Sequence, residues 1–321
     1  MSEIYLGVDL GGSNLTAAAV TSAGKLLRLK KTTTDSHTGV ENTIGKIIGL
    51  VRELQSGAGG AKARIRAIGF GVPGVIDCSR GLVKYSPNLP GWKNIPLAQK
   101  LRTALKTDIR IDNDANVAAL GEQWLGAGKK HGHVVVYTLG TGVGGGIILD
   151  NRLVHGACDG AGELGHMTIL PDGPRCGCGN RGCLEALASG TAIAREGRLW
   201  IKKRPGSKLA RLCGGDPRSV TAKKVFEAAR SGDPGARDII RRTGVYLGIA
   251  VANVINLLNP ELVIIGGGVS QAGEELLRHV RLESQRRVLN DLGRCARIVS
   301  AKLGDRAGVF GAARLAMMPK K

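Results

Sequence analysis

The sequence predicts an α/β protein of two like domains, and three observations carry that reading. A strand, a glycine turn and two further strands occupy positions 4 to 30, and the same order returns at positions 134 to 155. Beyond these, short apolar runs of strand length alternate with segments whose apolar residues recur at three and four, the spacing of a half-buried helix. At 321 residues the chain is long enough for two domains, and no apolar run reaches membrane-spanning length.

Ile4 to Leu10 is a mostly apolar run that meets the turn Asp9-Leu-Gly11-Gly12-Ser13-Asn14, with strands expected at Leu15 to Val20 and Lys25 to Lys30 around the turn Thr21 to Gly24. Small residues in the first turn let backbone amides approach an anion of phosphate size, and Asp9 is placed to hold a magnesium ion through water. Val40, Ile44, Ile47, Ile48, Val51 and Leu54 mark an amphipathic helix, followed by a Gly/Ala loop from Gln55 to Ala63. Ile65 to Val72 is the next strand, running into Gly71-Val-Pro-Gly74. A helix from Pro96 to about Lys106 leads to the strand Ile109 to Asp112, proline being suited to a first helical turn.

Asn113-Asp114-Ala115-Asn116 falls where that strand ends and a helix to about Ala127 begins. Polar groups at a strand's carboxyl end line the ligand crevice of open α/β sheets. Capping the helix would account for Asp114 alone, but not for Asp112, Asn113, Asp114 and Asn116 together.

Val134 to Leu139 opens the second copy and runs into Gly140-Thr141-Gly142-Val-Gly144-Gly145-Gly146, with strands expected at Ile147 to Leu149 and Arg152 to His155. Helices predominate from the cysteine-rich stretch to Leu258, and Ala236 to Leu258 is apolar enough to be buried. The strand Glu261 to Ile265 delivers a third glycine turn, Gly266-Gly267-Gly268, before a helix from about Gln271 to Leu282. Bare backbone there suits close approach of an adenosine moiety. Arg297 to Ala301 and a helix from Ala307 to Ala316 complete the pattern.

Gly162-Glu163-Leu-Gly-His166 and Cys176-Gly-Cys178-(x4)-Cys183-Leu-Glu185 place three thiols and an imidazole within eighteen residues, bracketed by two carboxylates. Three soft sulfurs and one borderline nitrogen are what a tetrahedral zinc ion accepts, and four protein ligands leave no open position, so the metal is read as structural. It would hold Glu163 and Glu185 in place. A disulfide with a stray thiol is the plainer alternative. Against it, the cysteines number seven, and Met1 to Leu10 lack a secretory leader's pattern, which points to a reducing, cytoplasmic compartment. Cys78, Cys158, Cys213 and Cys295 are isolated and read as core packing.

The formal charge of +20 is concentrated late in the chain: eleven basic against three acidic residues from Arg195 to Arg230, and seven against two from Arg278 to Lys302. Aromatic residues make up only 3% of the chain, too few for a base-stacking platform. A solvated basic face, aided by an anionic substrate such as a nucleotide or polyphosphate, is the expected reading.

Taken together, Asp9 to Asn14, Asn88-Leu-Pro-Gly-Trp92, Asn113 to Asn116, Gly140 to Gly146, Gly162 to His166 and Cys176 to Glu185 resemble the ROK family of repressors and sugar kinases, and within it the bacterial glucokinases. The resemblance covers nearly the whole chain. It implies a two-domain actin-like, ribonuclease-H-like sugar kinase fold with sugar and ATP in a cleft between the domains. The expected division is a small domain over 1–112, completed by the helix within 307–321, and a large domain over 113–306 that carries the zinc site.

Carried over by position, Asp114 matches the family's catalytic base and Asn113 a sugar ligand. Glu163, His166 and Glu185 match sugar-hydroxyl contacts, and Asn88 with the Gly74 backbone matches the small-domain side of the pocket. His166 resembles a residue with one ring nitrogen on zinc and the other towards sugar. ATP with Mg2+ would rest on Asp9, Gly11, Gly12, Ser13 and Asn14, on Gly140, Thr141, Gly142 and Gly144, and on Gly267 and Gly268. The implied reaction is transfer of the γ-phosphoryl group of ATP to the 6-hydroxyl of glucose. Mannose, N-acetylmannosamine and N-acetylglucosamine are alternative acceptors, and a sugar-sensing regulator is the alternative class. Asp9 already lies in the first glycine turn, leaving no room for the helix-turn-helix of the family's repressors, so specific nucleic-acid binding is not expected. A homodimer or higher homo-oligomer is. Ser13 and Leu15 depart from the family's usual Thr and Lys.

Overall fold

The computed structural model describes residues 3–57 and 65–319; positions 58–63 of the expected Gln55–Ala63 loop lie outside them. The strands are β1 (Ile4–Leu10), β2 (Asn14–Thr21), β3 (Leu26–Thr33), β4 (Ile65–Val72), β5 (Val75–Asp77), β6 (Leu82–Tyr85), β7 (Lys93–Ile95), β8 (Asp108–Asn113), β9 (Val134–Leu139), β10 (Val143–Leu149), β11 (Arg152–Leu153), β12 (Leu262–Gly266) and β13 (Arg297–Ser300). The helices are α1 (Val40–Gly57), α2 (Leu97–Leu105), α3 (Asp114–Leu125), α4 (Leu184–Ala188), α5 (Gly190–Lys203), α6 (Lys208–Leu212), α7 (Ala222–Arg230), α8 (Pro234–Leu258), α9 (Glu274–Gln285), α10 (Asn290–Cys295) and α11 (Ala307–Met317).

Contacts gather the chain into two compact units. The first comprises residues 1–132, 146–162 and 302–321, and the second residues 133–145 and 163–301.

In the first unit a five-stranded sheet runs in the order β3-β2-β1-β4-β8, with β1, β4 and β8 parallel and β2 and β3 antiparallel. Leu6, Val8 and Leu10 alternate with Gly7 and Asp9 along β1, so one face of the strand enters a core shared with Ile47, Val51 and Leu54 of α1 and Leu97 and Leu101 of α2. Leu89 and Trp92 are buried in the same core, while Asn88 beside them is exposed. The motif Asn88 to Trp92 is therefore anchored by its apolar members and presents its polar one. The small sheet β5-β6-β7 was not legible in the sequence, because strands of three or four residues are too short to show a period.

In the second unit β9, β12 and β13 are parallel neighbours in that order, matching the parallel run β1-β4-β8 of the first. The internal repeat read from the sequence is thus present in the topology. α8 begins two residues earlier than expected, with Pro234 in its first turn and Asp233 as cap. The Asp233 carboxylate accepts from Ala236 N and Leu209 N, each at 3.0 Å.

Three sequence expectations are corrected. β10 starts at Val143 rather than Ile147, since its glycines join the ladder instead of prolonging the turn. The stretch Gly268–Ala272 is a 3₁₀ turn, and the helix proper starts at Glu274. Core packing holds for Cys213, which is buried, but Cys158 and Cys295 are exposed and Cys78 is half-buried. Among the described residues no helix is long and apolar enough to cross a membrane.

Candidate active site

Asp114 is the first residue of α3, at the carboxyl end of β8. The cap is Asn113, whose Oδ1 accepts from Ala115 N at 2.9 Å and Asn116 N at 3.3 Å, while its Nδ2 donates to the Gly74 carbonyl at 3.0 Å. Asn113 therefore satisfies the helix's first amides. Gly74 has a φ of 112°, and a Cβ there would sit 2.2 Å from the Tyr85 carbonyl oxygen, so only glycine fits this turn.

Asp9 lies close to Asp114 in the same unit. Burial pushes its carboxyl up to about 7, with the negative charges of Asp114 and Asp305 adding to the effect. Negative charge converging on the buried Asp9 carboxyl favours a bound cation there. Asp305, just ahead of α11, was missed by the sequence reading because it belongs to no glycine motif. The Asp9 carboxylate lies against Gly308, where a Cβ would meet Oδ2 at 2.3 Å. Gly11 N donates to Asn14 O at 2.8 Å, closing the first glycine turn, and Ser13 and Asn14 are exposed beside it.

In the second unit the Gly140 turn is tied to the start of α5: Gly190 N donates to Gly140 O and Thr191 Oγ1 to Thr141 O, each at 2.8 Å. A helix N-terminus beside exposed backbone favours an anion. A cavity of about 570 Å³, within the size range of nucleotide sites, opens next to it. Gly140, Thr141 and Gly268 line it, as do Phe226, Lys223 and Arg230 from the start of α7 onward. The last three were also missed, since α7 reads as an ordinary amphipathic helix. Gly144 lies within β10 and Gly267 backs onto Leu139.

The cysteine-rich stretch brings its four candidate ligands together. One ligand atom from each of His166, Cys176, Cys178 and Cys183 lies within 4.8 Å of all the others. Cys178 Sγ and Cys183 Sγ are 3.7 Å apart, and Cys176 Sγ is 3.7 Å from His166 Nδ1. Zinc–sulfur bonds of about 2.3 Å in a tetrahedron would separate two sulfurs by about 3.8 Å, and the Cys178–Cys183 separation matches that spacing. Without an ion, burial pushes the Cys176 thiol up to about 12 and raises Cys183, while the Asn180 backbone amide lowers Cys178. With Nδ1 facing the sulfurs, His166 Nε2 looks outward, 3.9 Å from Glu163 Oε2.

A family model described as "ROK family" matches residues 5–318, and the chain belongs to that family. It is 42% identical to a glucokinase of Thermotoga maritima over 97% of this chain and 96% of that protein. Among solved structures it is similar to a ROK family glucokinase from Streptomyces griseus in complex with glucose and AMPPNP, at a TM-score of 0.84 and 36% identity, over 98% of this chain and 99% of that one. A ROK hexokinase from Thermus thermophilus matches at a TM-score of 0.81 and 33% identity, covering 98% and 97% of the two chains. The fold is accordingly the two-domain actin-like fold of ROK sugar kinases.

Proposed function

We propose that the protein is an ATP-dependent hexose kinase that phosphorylates glucose at its 6-hydroxyl. The observation that carries this reading is the full-length likeness to a glucokinase solved with glucose and AMPPNP, together with Asp114 standing at the head of a helix already capped by Asn113.

Asp114 accepts the proton of the 6-hydroxyl as that oxygen attacks the γ-phosphorus. The bond to the β-phosphate oxygen breaks and ADP leaves. In a loose transition state the acceptor oxygen needs little early activation, so positioning and charge neutralisation outweigh base strength. Asp9, crowded by Asp114 and Asp305, is the carboxylate best suited to hold Mg2+ of the nucleotide, directly or through water. Bound there, the ion would neutralise phosphate charge.

Asn88, Asn113, the Gly74 backbone, Glu163, His166 and Glu185 are the candidate sugar contacts. Phosphates would lie along Gly11 and Gly12 and along the Gly140–Gly142 turn at the start of α5, with the base against Phe226. Zinc fits the Cys3His set. On Nδ1 of His166 it would leave the ring proton on Nε2, ready to donate to a sugar oxygen.

The test is ADP release with Mg-ATP across a panel of hexoses and N-acetylhexosamines. Highest kcat/KM with glucose is the expected result. Preference for an N-acetyl sugar would keep the mechanism and change the acceptor, whereas no turnover with any sugar would overturn the kinase reading in favour of a sugar sensor.

A further inference from the structure

The first unit holds a second cluster of metal-binding side chains that the kinase reaction does not use. Cys78 follows β5, Asp112 lies near the end of β8, and His155 lies two residues beyond β11. One ligand atom from each is within 4.8 Å of the other two, and His155 Nε2 is 2.7 Å from Asp112 Oδ2. Only 2% of the Asp112 side chain and 9% of the His155 side chain are exposed.

We propose that Cys78, Asp112 and His155 bind a second divalent transition-metal ion of the zinc class, apart from the Cys3His cluster. The donor chemistry points to that class: one soft thiolate, one borderline imidazole and one hard carboxylate. Two negative ligands would balance the ion's charge, which makes a buried complex tolerable. The pieces are close in advance, and binding would displace the proton shared by Oδ2 and Nε2 at 2.7 Å and open that pair to about 3.3 Å, the spacing of two ligands on a tetrahedral ion. Asp112 Oδ1 accepts from Asn113 N at 2.7 Å and Asn116 Nδ2 at 2.9 Å, which leaves Oδ2 directed at His155. Cys78 N donates to Asp159 Oδ2 at 3.0 Å, fastening the Cys78 turn to the segment that carries His155. Three protein ligands leave a fourth position for water. The ion would clamp three chain segments together two residues before Asp114.

The test is zinc content per chain after stripping with a chelator, reloading with excess Zn2+ and gel filtration, on wild type, Cys78→Ser and Cys178→Ser. Wild type is expected to hold two ions and Cys78→Ser one, with Cys178→Ser losing the ion of the other cluster. One ion in wild type, or two in Cys78→Ser, overturns the proposal. Cobalt titration of wild type decides the matter even if a variant does not fold. The sulfur-to-cobalt absorption should keep rising through the second equivalent as a fourth thiolate is recruited. A plateau after the first equivalent means that the three side chains form a hydrogen-bonded cluster alone, and the proposal fails.

Discussion

Val143 donates its backbone N–H to Glu185 Oε2 at 3.0 Å, while Oε1 of the same carboxylate lies 3.6 Å from Cys176 Sγ. One side chain thus joins the end of the Gly140 turn to the cysteine cluster. Gly142 must be bare for this, since a Cβ there would sit 2.4 Å from Glu185 Oε2. The proposed phosphate turn and the proposed sugar-binding loop therefore share an anchor.

Glu185→Ala should raise the KM for glucose by about 10-fold or more, since hydrogen bonds to charged groups contribute about 1.5–3 kcal/mol. Zinc content should stay unchanged. Steady-state kinetics with metal analysis check this, and an unaltered glucose KM would remove Glu185 from the sugar site.

Asp114→Asn should lower kcat by about 10²- to 10⁴-fold, the usual contribution of a general base. Glucose affinity should change little, because an amide keeps the shape and one acceptor oxygen. Calorimetric binding beside turnover separates the two effects. Retention of more than about a tenth of wild-type kcat is incompatible with the assigned role.

If the Cys3His cluster holds zinc as proposed, chelation or replacing Cys178 by Ser should weaken glucose binding more than nucleotide binding, because His166, Glu163 and Glu185 lie on the stretch the ion would organise. Small structural zinc sites contribute apparent binding energies of about 10–16 kcal/mol, so loss of the ion should disorder residues 163–185. Hydrogen exchange maps the change. Equal weakening of both ligands would indicate general unfolding instead.

Asp9 should make the metal-free protein less stable as pH rises. Its folded pKa of about 7 lies above the ordinary carboxyl value of 3.8, so the native state binds more protons than the unfolded chain between those limits. Stability is then fully present below about pH 4 as far as this group is concerned, and is lost as pH rises towards 7 at no more than about 1.4 kcal/mol per pH unit. Mg-ATP, favouring the ionised form, should flatten the slope. Thermal unfolding against pH for wild type and Asp9→Asn tests this, and identical profiles would sink it.

Glu122→Ala should destabilise the first unit by about 2–4 kcal/mol, read as a lower Tm. The buried Glu122 carboxylate accepts from Ala127 N at 2.8 Å, Leu303 N at 2.7 Å and Lys302 N at 3.1 Å, and its removal strands those donors. A Tm within a degree of wild type would show that water replaces the carboxylate there.

The repeated strand and glycine turn, the amphipathic α1, the long α8 and the clustering of His166, Cys176, Cys178 and Cys183 were all legible in the sequence. Each depends on spacing along the chain, and periodicity of burial or of ligands is a local property. Tertiary structure alone decided which residues from distant segments meet. It put Asp305 beside Asp9 across nearly the whole chain, gave the cap of α3 to Asn113, and gathered Cys78, Asp112 and His155 from three segments that share no motif. Glu122 holding the 302–303 backbone, and Phe226 lining a cavity with Gly140, belong to the same class. Such meetings follow from how sheets and helices pack, and packing is set by the sum of many apolar contacts rather than by any short run of residues.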